Sequence, residues 1–471
     1  FMEIFIPWEV VSPFVPFDVP IEYVPHVYGI FFTSIATFYV MLGGMLSIVW
    51  ADVLQFTIMT VSAVIIAGLA MFHVSPEALQ AATPEGWANP FFGWTLNIDW
   101  TGLIDEINTK IVSDGYTLFS IFFMMMLFKG VLLSLAGPAP NYDMQKILAT
   151  RSPRDAALMS GFVSIVLMPI RYLMIAGFAI LAIVYYQELD LMTGGRIDFE
   201  NILPSAMMQC APVGILGLIL AGLLAAFMST FASTVNAAPA YLVNDIYKRY
   251  INPEASPQRL VRASYLISVL VVMISTVIGL WVESINSVLQ WIVSGLWGGY
   301  VVSNVLKWYW WRLNGMGFFW GMMVGIIGAL TFPPLFGGMF ENVASDILPL
   351  YLFPLLLLVS GVVCVATSLL TKPDDPEVLK SFYKNVRPWG LWGPIHDMVV
   401  AEDPSFERNK NFKRDMFNVT IGIIAQTCLV AAPIFLVVRE NASLATTLVV
   451  FAICAGILKK TWYDTLERES A

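Results

Sequence analysis

Residues 212–237 read PVGILGLILAGLLAAFMSTFASTVNA and contain no acidic, basic or histidine residue. A helix needs about 20 consecutive apolar residues to cross the roughly 30 Å hydrocarbon core of a bilayer. This stretch meets that length, so it predicts a membrane-spanning helix.

Comparable stretches follow one another along almost the whole chain. Hydrophobic residues make up 58% of the 471 residues and charged residues 13%, against about 45–50% and 25% in ordinary soluble domains. A soluble fold could not bury this much apolar surface. The sequence therefore predicts an all-α membrane protein with about eleven transmembrane helices, near residues 27–48, 51–72, 116–137, 156–186, 212–237, 260–282, 286–306, 316–337, 347–371, 416–438 and 442–458. The first two are expected to join tightly at Gly43-Gly44 through Trp50.

Basic residues indicate the orientation of these helices. Lys and Arg concentrate in alternate connections, at 146–154, 248–262, 307–312, 372–414 and 459–468, whereas the other connections are poor in them. Because basic loops stay on the cytoplasmic side, we expect residues 1–26 to lie outside in a multi-pass protein of the plasma (inner) membrane. Most multispanning transporters begin in the cytoplasm, so this orientation predicts an odd number of helices before Phe1.

Several function classes lack support. The net charge of −9 argues against a nucleic-acid partner, which requires a basic face. The four cysteines and three histidines are scattered and form no metal-type or catalytic spacing. The sequence contains no recognisable Ser/His/Asp, HExxH or phosphate-loop pattern of an enzyme. The GxxxG pair at Gly321 and Gly325 is interpreted as a helix-packing motif.

Small and hydroxyl residues share one face of the predicted helix at 212–237. Ala226, Ser229, Thr230 and Ser233 follow one another at i, i+3, i+4 and i+7, the spacing of one helix face. Such a face permits close packing of a neighbouring helix. It also offers the oxygen ligands that a hard cation such as sodium prefers, together with backbone carbonyls from an interrupted helix. Both interpretations stand at this point.

Other polar residues lie within apolar runs, where they are costly and are functional candidates. Asp52 and Gln55 begin a predicted helix at the cytoplasmic side, where the helix dipole alone would favour an acid. Lys129 and Arg171 lie inside predicted helices. Their structural interpretation is a buried pairing with carbonyls or a carboxylate.

Four motifs occur in order between residues 43 and 389. They are the runs GGMLSIVWADVLQ (43–55), QKILATRS (145–152), AAFMSTFASTVN continuing to DIYK (225–248) and the segment 379–389 with FY and RP. They resemble the GG…(A)VxWTDxxQ, QRxLAAKS, AAxxSSxxSxLNSxSTxxxxDIYK and FYxxVRP motifs of the sodium/solute symporter family, which contains the sodium–glucose cotransporters.

The resemblance implies a LeuT-type core of two inverted five-helix repeats, an architecture for which LeuT is the standard example. On that mapping, residues 27–306 hold core helices four to ten. Core helices one to three have no counterpart here, so a separate or missing N-terminal half is implied. The other predicted divisions are an external segment at 1–26, peripheral helices at 307–371, a cytoplasmic linker at 372–414 and C-terminal helices with a tail at 415–471. The helices after residue 306 number about four and are expected to lie at the periphery of the core.

The resemblance also implies a sodium site. Its ligands here are the Ala226 carbonyl and the hydroxyls of Ser229 and Thr230, completed by the absent first helix. Asp52 and Ser233, with Ser229, correspond to a second sodium site of some members, or Asp52 lines the sodium exit path. Ala232 replaces a serine of the members that hold two sodium ions.

Three residues are substrate candidates. Gln290 lies near a polar position of sugar-transporting members, whereas Leu133 stands where they carry asparagine. Lys129 and Arg171 are not family signatures, and a position in the cavity would favour an anionic solute such as a uronate.

The predicted function is secondary active transport, a symport of sodium with a small polar organic solute (a sugar or related compound) by alternating access. The partners are the solute, the sodium ion and the lipid bilayer. The alternatives are a solute sensor with a transporter-like membrane domain and a non-transporting fragment that needs a separate N-terminal half.

Overall fold

The computed structural model describes the chain except at residues 1–4, 17, 90–93, 138–141, 194–195, 198, 281–287, 289–297, 341–342, 344–346 and 467–471. It gives the backbone alone at residues 22, 42–48, 125, 129, 142–143, 145, 192–193 and 196–197.

Long helices dominate the structure because apolar runs in a bilayer must satisfy their backbone hydrogen bonds internally. We label them α1 (Val24–His73), α2 (Leu118–Ala136), α3 (Pro153–Val184), α4 (Val213–Tyr241), α5 (Pro257–Gly279), α6 (Gly298–Tyr309), α7 (Gly315–Phe336), α8 (Leu348–Leu370), α9 (Phe412–Val438) and α10 (Asn441–Thr461). Helix α2 is π-helical over Ile121–Leu132, and α4 continues as a π-helix over Leu242–Ile251.

The predicted all-α membrane fold is confirmed. The described part of the chain contains 10 candidate membrane spans, two of them in α1. The predicted segment 286–306 lies largely outside the described residues, and its described end forms the beginning of α6.

Helix α1 differs from its prediction. The structure continues one helix of 50 residues through the stretch where the sequence suggests a tight connection between two segments. At 1.5 Å per residue this helix is about 75 Å long, more than twice the thickness of the hydrocarbon core. Glycine lowers helix propensity without ending a helix, and no proline interrupts residues 41–55, so the local sequence supplies no stop signal.

Shorter elements connect the long helices. The short α-helices are Trp8–Val11, Pro76–Ala82, Asp105–Ser113, Tyr142–Leu148, Ile202–Cys210, Pro376–Val386 and Gly393–Glu402. Single 3₁₀ turns occur at Ser12–Phe14, Ile21–Tyr23, Tyr186–Glu188, Phe199–Asn201, Gly337–Met339 and Tyr463–Thr465. Strands Met192–Thr193 and Arg196–Ile197 pair antiparallel, with Met192 opposite Ile197.

The chain divides into two units that alternate along the sequence. The first comprises residues 1–83, 140–281 and 418–471, and in it α1 packs against α4 and α3. Ser62 of α1 donates a hydrogen bond to the Leu218 carbonyl of α4 at 3.0 Å. A Cβ on Gly222 would lie 2.5 Å from the Ser62 Oγ, so glycine permits this close approach.

The second unit comprises residues 84–139 and 282–417. In it α7 turns its buried glycines toward α6 and α8. A Cβ on Gly325 would lie 2.0 Å from the Gly299 Cα of α6, and one on Gly321 would lie 2.7 Å from the Cys364 Cβ of α8. The glycine pair predicted to be a packing motif therefore packs against both neighbouring helices.

Residues 372–414, predicted to be a linker, contain two helices with a small core of their own. Leu379 and Tyr383 of the first helix pack with Ile395 and Val399 of the second. Trp392 joins this cluster, and its indole N–H donates a hydrogen bond to the Trp308 carbonyl at 2.9 Å. The segment is therefore held against the end of α6.

An ion cluster links the same two helices. Lys380 contacts Glu377, with 2.6 Å between Nζ and Oε1, and also Glu402. Lys384 donates a hydrogen bond to the Glu402 carboxylate at 3.0 Å. The hydrogen bonds that Lys380 and Lys384 donate to Glu402 lower the pKa of Glu402. The hydrogen bonds that Lys380 donates to Glu377 and Glu402 raise the pKa of Lys380.

This cluster predicts a loss of local stability in acid. A carboxyl group whose pKa is lower in the folded state contributes stability above its unfolded pKa and loses it as the pH falls through the folded value. We expect the protection of the Gly393–Glu402 helix against hydrogen exchange, corrected for the intrinsic pH dependence of exchange, to decrease as the pH falls below the usual pKa of glutamate. Glu402→Gln should flatten that dependence, and an unchanged pH profile in this variant would contradict the assignment.

Candidate functional site

The candidate site lies where α1 packs against α4. The two helices run antiparallel, since Ser62 meets Leu218 while Asp52, ten residues earlier, meets Ser229. Residues that are far apart in sequence are thereby brought to one level of the helix pair.

Asp52 is the centre of the polar contacts at this level. Ser229 donates a hydrogen bond from its Oγ to the Asp52 Oδ1 at 2.5 Å. Lys146, on the short helix Tyr142–Leu148, donates from its Nζ to the Asp52 Oδ2 at 3.1 Å. Hydrogen bonds to an ionised group are the stronger kind. Three elements of the first unit therefore converge on one carboxylate.

The site is partly buried. The Asp52 side chain is 23% exposed and that of Lys146 is 33% exposed. The carboxylate therefore retains limited contact with its surroundings, and the ammonium group retains more. A pair in this position is weaker than a buried one and can exchange its partner, because partial exposure screens the attraction.

The predicted hydroxyl stripe forms along α4, but its members face different surroundings. Thr230 is exposed, and its Oγ1 donates a hydrogen bond to the Ala226 carbonyl at 3.2 Å. Ser233, one turn after Ser229, is buried, with 3% of its surface exposed. The stripe therefore extends from an exposed edge at Thr230 to the buried side of α4 at Ser233.

The structure brings together two pairs of the predicted site residues, Asp52 with Ser229 and Ala226 with Thr230. Both hydroxyls of these pairs donate hydrogen bonds to oxygen atoms of the protein. Their oxygen lone pairs remain available as ligands, which is the arrangement that binding of a hard cation requires.

The predicted substrate residues are less well defined. Gln290 lies outside the described residues, and Lys129 in α2 is described by its backbone alone. Arg171 lies midway along α3 with an exposed side chain. Within the described part of the chain, no carboxylate forms an ion pair with Arg171.

Lys146 is the residue that sequence reasoning missed. Its charge indicates the orientation of the helices, and nothing in the sequence points to Asp52 as its partner. The available signal was its place in the run QKILATRS at 145–152, one of the motifs that carry the family resemblance. The structure gives this loop a contact partner, the carboxylate of a second such motif.

A comparison with family models matches residues 23–325 to the sodium:solute symporter family. The match covers more than half of the chain. The chain belongs to this family.

Two of the relatives are named as sodium-coupled transporters. The sodium/sialic acid symporter SiaT of Proteus mirabilis is 24% identical over 318 residues, which cover 65% of this chain and 60% of that protein. The sodium/glucose cotransporter of Vibrio parahaemolyticus is 23% identical over 385 residues, covering 75% and 64%. The chain thus spans less than two thirds of the length of these relatives.

A solved structure agrees with the fold. The chain superposes on a Na⁺-coupled sialic acid symporter in its substrate-bound outward-open state with a TM-score of 0.53 and 20% sequence identity. The match covers 79% of this chain and 71% of the other. The LeuT-type fold implied by the sequence motifs is confirmed.

Proposed function

We propose that the protein is a sodium-coupled symporter of the plasma membrane that moves a small polar organic solute by alternating access. The observation that carries this proposal is the contact between Asp52 and Ser229 across α1 and α4. It joins an intramembrane carboxylate to the hydroxyl face of α4 in a chain of the sodium:solute symporter family.

The geometry supports a sodium site on this face of α4. Ser229 directs its proton to Asp52, and Thr230 directs its proton to the Ala226 carbonyl. Each hydroxyl oxygen therefore presents lone pairs to a cation. The Ala226 carbonyl accepts the Thr230 hydroxyl in addition to the backbone N–H of the helix, so in this proposal the hydroxyl turns away when the carbonyl binds the ion. In this proposal Ala226, Ser229 and Thr230 are sodium ligands, Asp52 polarises the Ser229 hydroxyl, and Ser233 extends the polar path.

Sodium binding drives transport through a difference in affinity between the two states of the carrier. A ligand shifts a conformational equilibrium only by the amount that it binds one state more tightly. Moving one charge through 100 mV provides about 2.3 kcal/mol, which corresponds to a solute concentration ratio of about 50-fold. One coupled ion is therefore sufficient for useful accumulation.

The proposed solute is a sugar or a related hydroxylated compound. Relatives are named for sialic acid, glucose, mannose and myo-inositol, which share several hydroxyl groups. Arg171 is exposed on α3, and in this proposal either Arg171 or Lys129 offers a positive charge to an acidic member of this class. Gln290 is the proposed hydrogen-bonding partner of the solute hydroxyls.

Uptake into proteoliposomes tests this proposal. The full-length protein is reconstituted, and accumulation of radiolabelled neutral and acidic sugars is measured under an inward sodium gradient. We expect at least one of them to accumulate, and the accumulation to collapse when potassium replaces sodium or when the gradient is dissipated. Uptake that is indifferent to the sodium gradient would reject the proposal. Loss of acidic-sugar competition in Lys129→Met would assign that base to the solute.

A further inference from the structure

The Asp52 carboxylate already has a cationic partner within the protein. Lys146 places its Nζ 3.1 Å from Oδ2, while Ser229 donates to Oδ1. The Lys146 ammonium and the Ser229 hydroxyl, which is proposed to bind sodium, therefore contact the two different oxygens of the same carboxylate. This arrangement goes beyond the site proposed above and rests on it.

We propose that Lys146 is a tethered counter-cation that competes with transported sodium for the negative charge of Asp52 and so sets the sodium affinity of the carrier. It acts as a positioning residue: it does not touch the ion, but it controls the charge that the ion meets at Ser229.

The first step of the argument is electrostatic. Asp52 accepts a hydrogen bond from the Ser229 hydroxyl, and its negative charge makes the Ser229 oxygen a stronger ligand for a cation. An ammonium group on the second carboxylate oxygen cancels much of that charge, since opposite charges at hydrogen-bond distance dominate the local field. Sodium therefore binds more weakly while Lys146 is paired with Asp52.

The second step concerns exchange. Lysine carries its charge on a flexible four-carbon stem and makes single, movable contacts, whereas arginine binds carboxylates with a rigid fork. The Lys146 side chain is 33% exposed, so its ammonium group can leave the carboxylate for other surroundings without being buried unpaired. The pair is consequently able to open when sodium arrives and to close when sodium leaves.

The third step is linkage. If the Lys146–Asp52 pair weakens sodium binding, bound sodium must weaken the pair by the same factor. Closing of the pair then helps to displace sodium from the site, which favours its release. A high sodium affinity would oppose release, so an internal competitor keeps the ion exchangeable.

The experiment measures sodium binding by the purified full-length protein in lipid nanodiscs. The thermal midpoint is recorded against sodium chloride concentration, with choline chloride holding ionic strength constant. A partly exposed ion pair contributes only modestly, so we expect Lys146→Met to lower the half-saturating sodium concentration about three- to fivefold. Lys146→Gln, which keeps a donor without the charge, should behave similarly, and Lys146→Arg should lie closer to the unmodified protein.

Lys110→Met is the matched control. Lys110 forms an ion pair with Asp114 at the same N–O distance of 3.1 Å. Asp114 is the C-cap of the short helix Asp105–Ser113 that contains Lys110, and Lys110 takes no part in the proposed site. Its replacement should leave the half-saturating sodium concentration within twofold. In an Asp52→Asn background, Lys146→Met should have no further effect, because the shared carboxylate charge is gone.

The outcomes separate the two proposals. A sodium-dependent midpoint in the unmodified protein, with an unchanged or higher half-saturating concentration in Lys146→Met and Lys146→Gln, overturns the role of Lys146 alone. An additive effect of Lys146→Met in the Asp52→Asn background does the same. A midpoint of the unmodified protein that does not respond to sodium rejects the sodium site and the role of Lys146 with it.

Discussion

Replacing Gly325 with valine is expected to prevent α7 from packing on α6 and to leave little folded protein. A Cβ at this position would lie 2.0 Å from the Gly299 Cα and 2.7 Å from the Gly299 oxygen. Both are backbone atoms of a helix, which cannot move aside as the end of a flexible side chain can. Ordinary overpacking of a core costs about 1–3 kcal/mol, and we expect Gly325→Val to exceed the upper end of that range.

The measurement is the yield and thermal midpoint of detergent-solubilised protein by size-exclusion chromatography. Gly456→Ala in α10 is the matched control, since a Cβ there meets nothing within 4 Å. Alanine is the better helix former by roughly 1 kcal/mol in an exposed helix interior, so this variant should be as stable as the unmodified protein or slightly more so. A normal yield and midpoint for Gly325→Val would show that α6 and α7 do not approach as closely as described.

The sequence predicts the helical elements well because each follows from local composition. Residues 212–237 are apolar along their whole length, and the structure has α4 over Val213–Tyr241. The glycine pair at 321 and 325 likewise predicts close packing from its spacing alone. In these cases one segment contains all the information that the prediction needs.

Contacts between distant segments are beyond such reasoning. Asp52 and Lys146 are 94 positions apart, and nothing in either segment states that their side chains meet. The spacing of Ser229, Thr230 and Ser233 predicts a shared face, but it does not tell which hydroxyl meets another helix. Packing of α1 on α4 selects Ser229 for that contact and leaves Thr230 exposed.

The continuity of α1 illustrates a different limit. The prediction of two segments joined near Gly43-Gly44 depends on the length of the apolar run relative to a bilayer. It does not depend on a residue that ends a helix. The structure follows local propensity and continues the helix to His73. Local helix propensity and membrane thickness are separate constraints. The residues between 41 and 55 favour a continuous helix and include no residue that would end it at the membrane surface.

Replacing Ser229 with alanine is expected to raise the sodium concentration for half-maximal uptake at least tenfold. The substitution removes a proposed sodium ligand and the donor to the Asp52 Oδ1. Hydrogen bonds to charged groups contribute about 1.5–3 kcal/mol, which corresponds to a factor of about 10 to 150. Thr230→Val should act in the same direction, since it removes the second proposed hydroxyl ligand while keeping the shape of the side chain.

Ser160→Ala is the matched control for Ser229→Ala. Ser160 donates its hydroxyl to the Ala156 carbonyl within α3 at 3.0 Å, and it is exposed. Its replacement should leave uptake unchanged. If Ser229 served only to pack α4 on α1, Ser229→Ala would lower the thermal midpoint without sodium and leave the half-maximal sodium concentration as it was. A ligand role requires a shifted sodium dependence in addition to the lower sodium-free midpoint that loss of the hydrogen bond to Asp52 causes in either case.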